Sequence, residues 1–271
     1  MVINKCFKEV FGAMEISELI KILVMLCPLV FVAGFVDAVA GGGGLIGFPA
    51  YMWTGLPIHT IYGCNKFQCT LGTVSSLIRF EKNGILDKST ALVSAITAVI
   101  FSAIGTKIIL LLSEDVLSRA LTIALPVFSV TMLINPKDSL NTVSQAPKCR
   151  KTVLFSALSG MLIGLYDSMF GPGGGTLGML LLIRLFKYDY KTASANIKVI
   201  LIASSLASAI GHVISGNVLY SVAIPATIFN IWGSYVGAGF AIKHGKKVIK
   251  PMANAVVAVV LIKYVVLPLF S

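Results

Sequence analysis

Gly34-Phe35-Val36-Asp37-Ala38-Val39-Ala40-Gly41-Gly42-Gly43-Gly44-Leu45-Ile46-Gly47-Phe48-Pro49 decides the fold, because its design returns as Gly164-Leu165-Tyr166-Asp167-Ser168-Met169-Phe170-Gly171-Pro172-Gly173-Gly174-Gly175-Thr176. Each copy follows an apolar run, passes an aspartate, breaks at glycines and resumes as a short apolar segment. A helix broken in apolar surroundings exposes backbone amides at the start of its second half, and such amides can hold an anion. The two breaks read as halves of one binding site.

The surroundings of the breaks are those of a membrane. The chain has 271 residues, 56% hydrophobic and only 12% charged, with mean hydropathy +0.91, whereas a soluble domain carries about 25% charge. Successive apolar runs of about 20 residues with short polar joints predict an all-α, polytopic integral membrane bundle. Transmembrane strands would alternate in polarity, and these runs do not. The formal charge of +11 sits mostly in short joints, where it records orientation more than partner. It gives no basic face of a soluble fold, so no nucleic-acid partner is expected.

Residues 1–18 carry Lys5, Lys8, Glu9, Glu15 and Glu18 and read as an interfacial amphipathic lead-in without a cleavable signal. An apolar run at 19–39 leads to the first break, and 45–54 is too short to span. A helix at about 60–80 opens with Asn65-Lys66-Phe67-Gln68, followed by spans at 89–112 and 116–134, the latter capped by Ser113-Glu114-Asp115. A polar linker, 135–151, separates the first membrane repeat (19–134) from the second (152–271). The second repeat runs from 152–170 through the break to Arg184, then a helix from near Asp189 carrying Asn196-Ile197-Lys198, then spans at 219–241 and 248–270. Asp37 and Asp167 lie 130 residues apart, while Lys66 and Lys198, like Gly84 and Gly216, lie 132 apart. Agreement at separated landmarks points to duplication.

Lys and Arg cluster at 82–88, 148–151, 184–191 and 243–250, which marks those joints as cytoplasmic, while the joints at 55–59, 113–115 and 215–217 face out. The two repeats are therefore expected to be inverted, with the substrate site at their interface, as in secondary transporters. For the second repeat the charges favour re-entry of the broken element. For the first, Lys5, Lys8 and Lys21 among three glutamates leave the side of the N-terminus open.

The candidate substrate-binding groups are the amides near Gly43, Gly44, Gly174 and Gly175, the Thr176 hydroxyl, the Asn65 and Asn196 amides and the Lys66 and Lys198 ammoniums. Gln68 and Thr73 could add donors, and close helix packing is the alternative use of the glycines. Asp37 and Asp167 precede a helix end, where the dipole disfavours a carboxylate, so each is protonated or paired with a lysine. Two roles stay open for them, coupling to a proton and bracing the loop. Five scattered cysteines form no metal pattern; Cys64 and Cys69 are read as packing, with sulfur chemistry as the alternative. His59, His212 and His244 show no metal spacing. Pro126 and Pro225 read as kinks, and Gly233-x-x-x-Gly237 as helix packing.

The paired motifs Asp37…Gly41-Gly42-Gly43-Gly44 with Asn65-Lys66, and Tyr166-Asp167…Gly171-Pro172-Gly173-Gly174 with Lys198, resemble the TauE/SafE family of membrane anion permeases, often called sulfite exporters, over nearly the whole chain. In the second repeat Asn196-Ile197-Lys198 replaces the adjacent Asn-Lys. The resemblance implies movement of sulfite, sulfonates or related organic anions across the cytoplasmic membrane. The expected function is a secondary exporter of a small sulfur-containing anion by alternating access, with a coupling proton or cation held open. A passive anion channel is the alternative, ahead of a membrane enzyme or sulfur carrier using Cys64 or Cys69 and of a structural subunit. No cofactor or metal is expected, and no enzymatic activity; Gly245-Lys246 is followed by Lys247, so there is no P-loop for ATP.

Overall fold

The computed structural model describes residues 15–121, 123, 143, 146, 147 and 149–244. Eight helices with defined bounds follow in order: α1 (Ile16–Ala40), α2 (Gly44–Met52), α3 (Ile58–Lys82), α4 (Lys88–Leu111), α5 (Arg150–Met169), α6 (Gly174–Phe186), α7 (Tyr190–Ile214) and α8 (Tyr220–His244). A further helix begins at 114. Residues 1–14 of the expected lead-in, Pro126, the 116–134 span beyond 123, most of the 135–151 linker and the 248–270 span lie outside the described residues.

Local chemistry sets the ends. Asp87 caps α4, its side chain accepting from the amides of Ser89 and Thr90, and Asp189 caps α7 through the Thr192 amide. α1 stops because Gly41 adopts the left-handed conformation (φ 73°) and returns its N–H to the Asp37 carbonyl at 2.8 Å. Gly171, its counterpart after α5, has φ 74°. At about 1.5 Å per residue, α2 and α6 are too short to cross a bilayer. α3 starts at Ile58, behind an N-cap at Pro57. Asn65 and Lys66 therefore sit two turns inside the helix, not in its opening turn.

Polarity is arranged inside out. Large apolar side chains such as Leu92, Ile96, Ile210, Ile228 and Trp232 are exposed, while Ser94, Ser102, Thr106, Ser204 and Ser208 are buried. That pattern suits a chain whose solvent is hydrocarbon. α1, α4, α5 and α7 are each long and apolar enough to cross a membrane. α3 is as long as α1 but buries Asn65, Lys66, Gln68, Thr70, Thr73 and Ser76.

The helices do not pack as two sequential repeats. α8 lies along α1 and α3, whereas α4 lies along α5 and α7, and α3 meets α7 between the two groups. Small residues permit the close approaches: a Cβ at Gly233 would stand 2.0 Å from the Phe31 carbonyl oxygen, and one at Gly237 2.4 Å from that of Phe35. On the other side, Gly160 meets the Ser94 carbonyl and Gly164 that of Ala98. Hydroxyls bond across the same seams, Ser94 to the Ser156 carbonyl at 2.8 Å and Ser102 to that of Ser204 at 2.7 Å.

Three loops converge on Asp87. Its carboxylate accepts from the Ala146 amide (2.9 Å) and the Tyr188 hydroxyl (2.7 Å), and Val143 forms a parallel bridge with Tyr188. Burial acts to raise the pKa of Asp87, but the bonds from Ala146, Ser89, Tyr188 and Thr90 together outweigh it and hold the carboxyl below its ordinary value.

Two outcomes follow for the purified chain in detergent. Gly233→Leu lowers stability by about 1–3 kcal/mol through overpacking, read as a drop in thermal midpoint, while Ile228→Leu on the exposed face leaves it unchanged. Asp87→Ala costs about 1–3 kcal/mol by stranding its donors. Because the folded value is depressed, the Asp87 contribution is present above the unfolded value of about 3.9 and is lost as pH falls through the folded value. The gap between the melting curves of wild type and Asp87→Ala is therefore constant from pH 5 to 8 and closes only in stronger acid.

Candidate functional site

The two breaks meet. A Cβ at Gly41 would lie 2.5 Å from the Gly175 carbonyl carbon, and one at Gly175 2.5 Å from the Gly41 oxygen. Gly171 packs on the Phe48 ring, and Gly44 on the Pro172 backbone. Thr176 Oγ1 donates to the Ala40 carbonyl at 2.8 Å, so the start of α6 is bonded to the end of α1. At Gly41 and Gly175 close packing is thus a reason for glycine in its own right.

Four charges surround the junction, and they pair crosswise. Lys66 on α3 bonds the Asp167 carboxylate at the end of α5 (2.9 Å), and Lys198 on α7 bonds the Asp37 carboxylate at the end of α1 (2.6 Å). Each ammonium also donates to the main-chain carbonyl of the same aspartate. The dipole that disfavours a carboxylate at a helix C-terminus favours an ammonium there, so one lysine neutralises the side chain and caps the helix together. The pairs differ in their surroundings. The Asp167 side chain is 7% exposed and also accepts from Ser204 (2.7 Å) and Ser205 (3.4 Å), while the Asp37 side chain is 21% exposed.

A cavity of about 40 Å³ lies between the breaks. Gly41, Gly43 and Gly44 line it from the first break, and Gly171 and Gly175 from the second, with Lys66 and both aspartates. Asn65, Gln68, Cys69 and Thr73 complete the α3 wall. Pockets for drug-sized ligands measure about 300–1,000 Å³, so this one suits a solute of a few heavy atoms. A larger hollow of about 470 Å³ is lined by Leu162, Leu177 and Leu181; its apolar walls offer an anion nothing. The amides of Gly42 and Gly43 donate to no backbone carbonyl among the described residues, and Gln68 Oε1 is buried without a partner.

Of the residues singled out in the sequence, Gly43, Gly44, Asn65, Lys66, Gly175, Asp37 and Asp167 line this cavity; Gly174, Thr176, Asn196 and Lys198 do not. Gly174 stands beside Asp167, and Lys198 reaches the site through Asp37. Asn196 donates to the Thr192 carbonyl at 2.9 Å, its oxygen buried without a partner. The cavity also takes Ser205 from α7 and Asn230 from α8, which the sequence reading passed over; a lone amide in the apolar run Ile228-Phe229-Asn230-Ile231-Trp232 was the available signal. The Cys64 sulfur accepts from the Leu219 amide at 3.3 Å, a packing contact at the start of α8, whereas Cys69 faces the cavity. No cluster able to hold a metal ion is found among the described residues.

The sequence of the "Sulfite exporter TauE/SafE" family matches residues 26–264. A "Probable membrane transporter protein" of Haemophilus influenzae is 31% identical over 233 residues, covering 86% of this chain and 90% of the relative. "Probable membrane transporter protein ORF9" of a Sinorhizobium species is 29% identical, with 85% and 87% covered, and "Probable membrane transporter protein YfcA" of Escherichia coli is 26% identical, with 89% and 92% covered. No solved structure matches. With a family match across nearly the whole chain, several apolar helices and a charged junction buried among them, the protein belongs to the TauE/SafE family of multi-pass membrane transporters.

Proposed function

We propose that this protein is a secondary transporter of the cell membrane that exports a small anion, sulfite or a short organosulfur anion, by alternating access at a site where two inverted repeats meet. The observation that carries the reading is the cavity of about 40 Å³ between the two glycine breaks, with the Lys66 ammonium in its wall. Backbone amides at Gly43, Gly44 and Gly175, the Asn65 amide and Lys66 supply donors on several sides, as a planar or pyramidal oxyanion requires. Lys198 and Thr176 act at one remove, by fixing Asp37 and the end of α1. The cavity's small size favours a carrier that encloses its cargo over an open anion channel. Energy comes from an ion gradient or from the membrane potential.

Lys66 gives the test. Lys66→Met removes a charge-assisted bond to the anion, worth about 1.5–3 kcal/mol, and weakens half-saturation for sulfite about 10- to 150-fold in proteoliposomes. The same change strands Asp167, which by itself costs about 3–5 kcal/mol of stability. The double variant Lys66→Met/Asp167→Asn removes that penalty, so it recovers thermal stability but not uptake. Recovery of uptake in the double variant would show that Lys66 serves the fold and not the cargo.

A further inference from the structure

The two ammoniums and two carboxylates at the junction cancel. A neutral site gives an incoming anion little Coulombic attraction, and in low dielectric that attraction is what offsets the anion's lost hydration. The site becomes positive when one carboxylate takes a proton. Sequence repetition makes Asp37 and Asp167 equivalent; their surroundings do not. Asp167 holds three side-chain donors, Lys66, Ser204 and Ser205, and is almost wholly buried. Asp37, which lines the cavity, has Lys198 as its one side-chain partner among the described residues, and its side chain is the more exposed of the two.

Resting on the reading of this cavity as the anion site, we propose that Asp37 is the coupling carboxylate: it takes up one proton as a singly charged anion binds, the two cross together without net charge, and Asp167 stays ionised as the brace. A proton from the aqueous phase bonds to a carboxylate oxygen of Asp37. Lys198 keeps its protons and is freed from its partner. The positive charge so released at the cavity is met by the anion. When the anion leaves on the far side, the proton leaves Asp37 for water and the Asp37–Lys198 pair closes again. The charged or titratable groups that share the cavity or a bond with Asp37 are Lys66 and Cys69 on α3, Asp167 on α5 and Lys198 on α7; from α8 comes the neutral Asn230. Outward flux then runs down the anion's own gradient, and a pH difference adds to it only where the inside is the more acidic side. The membrane potential does no work on the pair.

The full chain in proteoliposomes, with a pH dye inside and potassium with valinomycin setting the potential, tests this. The probes are labelled isethionate, a strong acid that does not leak as a neutral species, and labelled sulfite, each against protein-free liposomes. Wild-type protein is expected to take up one proton per isethionate and to change rate by less than about twofold when the potential is stepped. On the alkaline side of the titration the rate rises by up to about tenfold for each pH unit lowered. Asp37→Asn flattens that pH response and makes the flux follow the potential. Carbodiimide labelling of the wild-type chain, read by mass spectrometry, decides the assignment even if the variant does not fold: modification is expected at Asp37, increasing as pH falls, with Asp167 unlabelled. Labelling of Asp167 instead, or anion flux that follows the potential without proton uptake, overturns the inference and leaves anion transport standing. If neither probe crosses at any pH, the transport reading itself fails and this inference with it.

Discussion

The junction depends on a lysine bonded at once to a carboxylate and to the helix end that carries it. An unpaired charge within a membrane helix costs about 2.5–3.5 kcal/mol on insertion scales, so Lys66, Lys198, Asp37 and Asp167 are each a liability alone. Crosswise pairing removes the liability and adds a second effect. Because each ammonium also takes the aspartate's own carbonyl, it terminates α1 or α5 electrostatically where Gly41 and Gly171 terminate them conformationally. Without the lysine, a carboxylate and the negative end of a helix dipole would face each other in hydrocarbon. The break, the ion pair and the cavity are thus one arrangement.

The same pairs hold the two packed groups of helices together. α8 joins α1 and α3, and α4 joins α5 and α7, so the boundary between sequence repeats is not the boundary between packed bodies. Each body contains one lysine and one aspartate of the junction, and each lysine reaches into the other body. Sliding one body on the other has to pass along the α3–α7 contact and through both pairs. The glycine seams of α8 on α1 and of α4 on α5 lie within the bodies, where backbone meets backbone and little give is available.

The sequence made the spans and breaks legible because hydrocarbon leaves few alternatives: apolar runs must be helices, and glycine clusters next to aspartate must interrupt them. It did not reveal which lysine meets which aspartate, since a repeat states what is equivalent and not what touches. Asn196 shows how fine the remaining detail is. Asn65 adjoins Lys66, but Asn196 is two residues from Lys198, and at 100° per residue that spacing turns it from the cavity toward the Thr192 carbonyl. Thr176, which looked like a donor to the anion, spends its hydroxyl on Ala40. The swap of α4 and α8 carries no local signature at all, because it is a property of tertiary packing between helices that are each ordinary.

The residues that differ between matching positions of the two halves explain why the two pairs differ. Packing sets the correspondence: Gly34 meets Asn230 and, 130 residues on, Gly164 meets Ala98. Ser204, whose hydroxyl holds Asp167, stands 132 residues from Gly72. Gly72 has no hydroxyl to offer, and a Cβ there would fall 1.5 Å from Asn230 Oδ1. On one side a serine bonds the carboxylate and a small alanine meets Gly164. The other has a glycine that admits an asparagine to the cavity wall. Exchanging a hydroxyl on one helix for an amide on its neighbour keeps the volume filled while removing a donor from one aspartate. Two carboxylates in matching stretches of sequence thereby differ in exposure, the Asp37 side chain being the more open of the two.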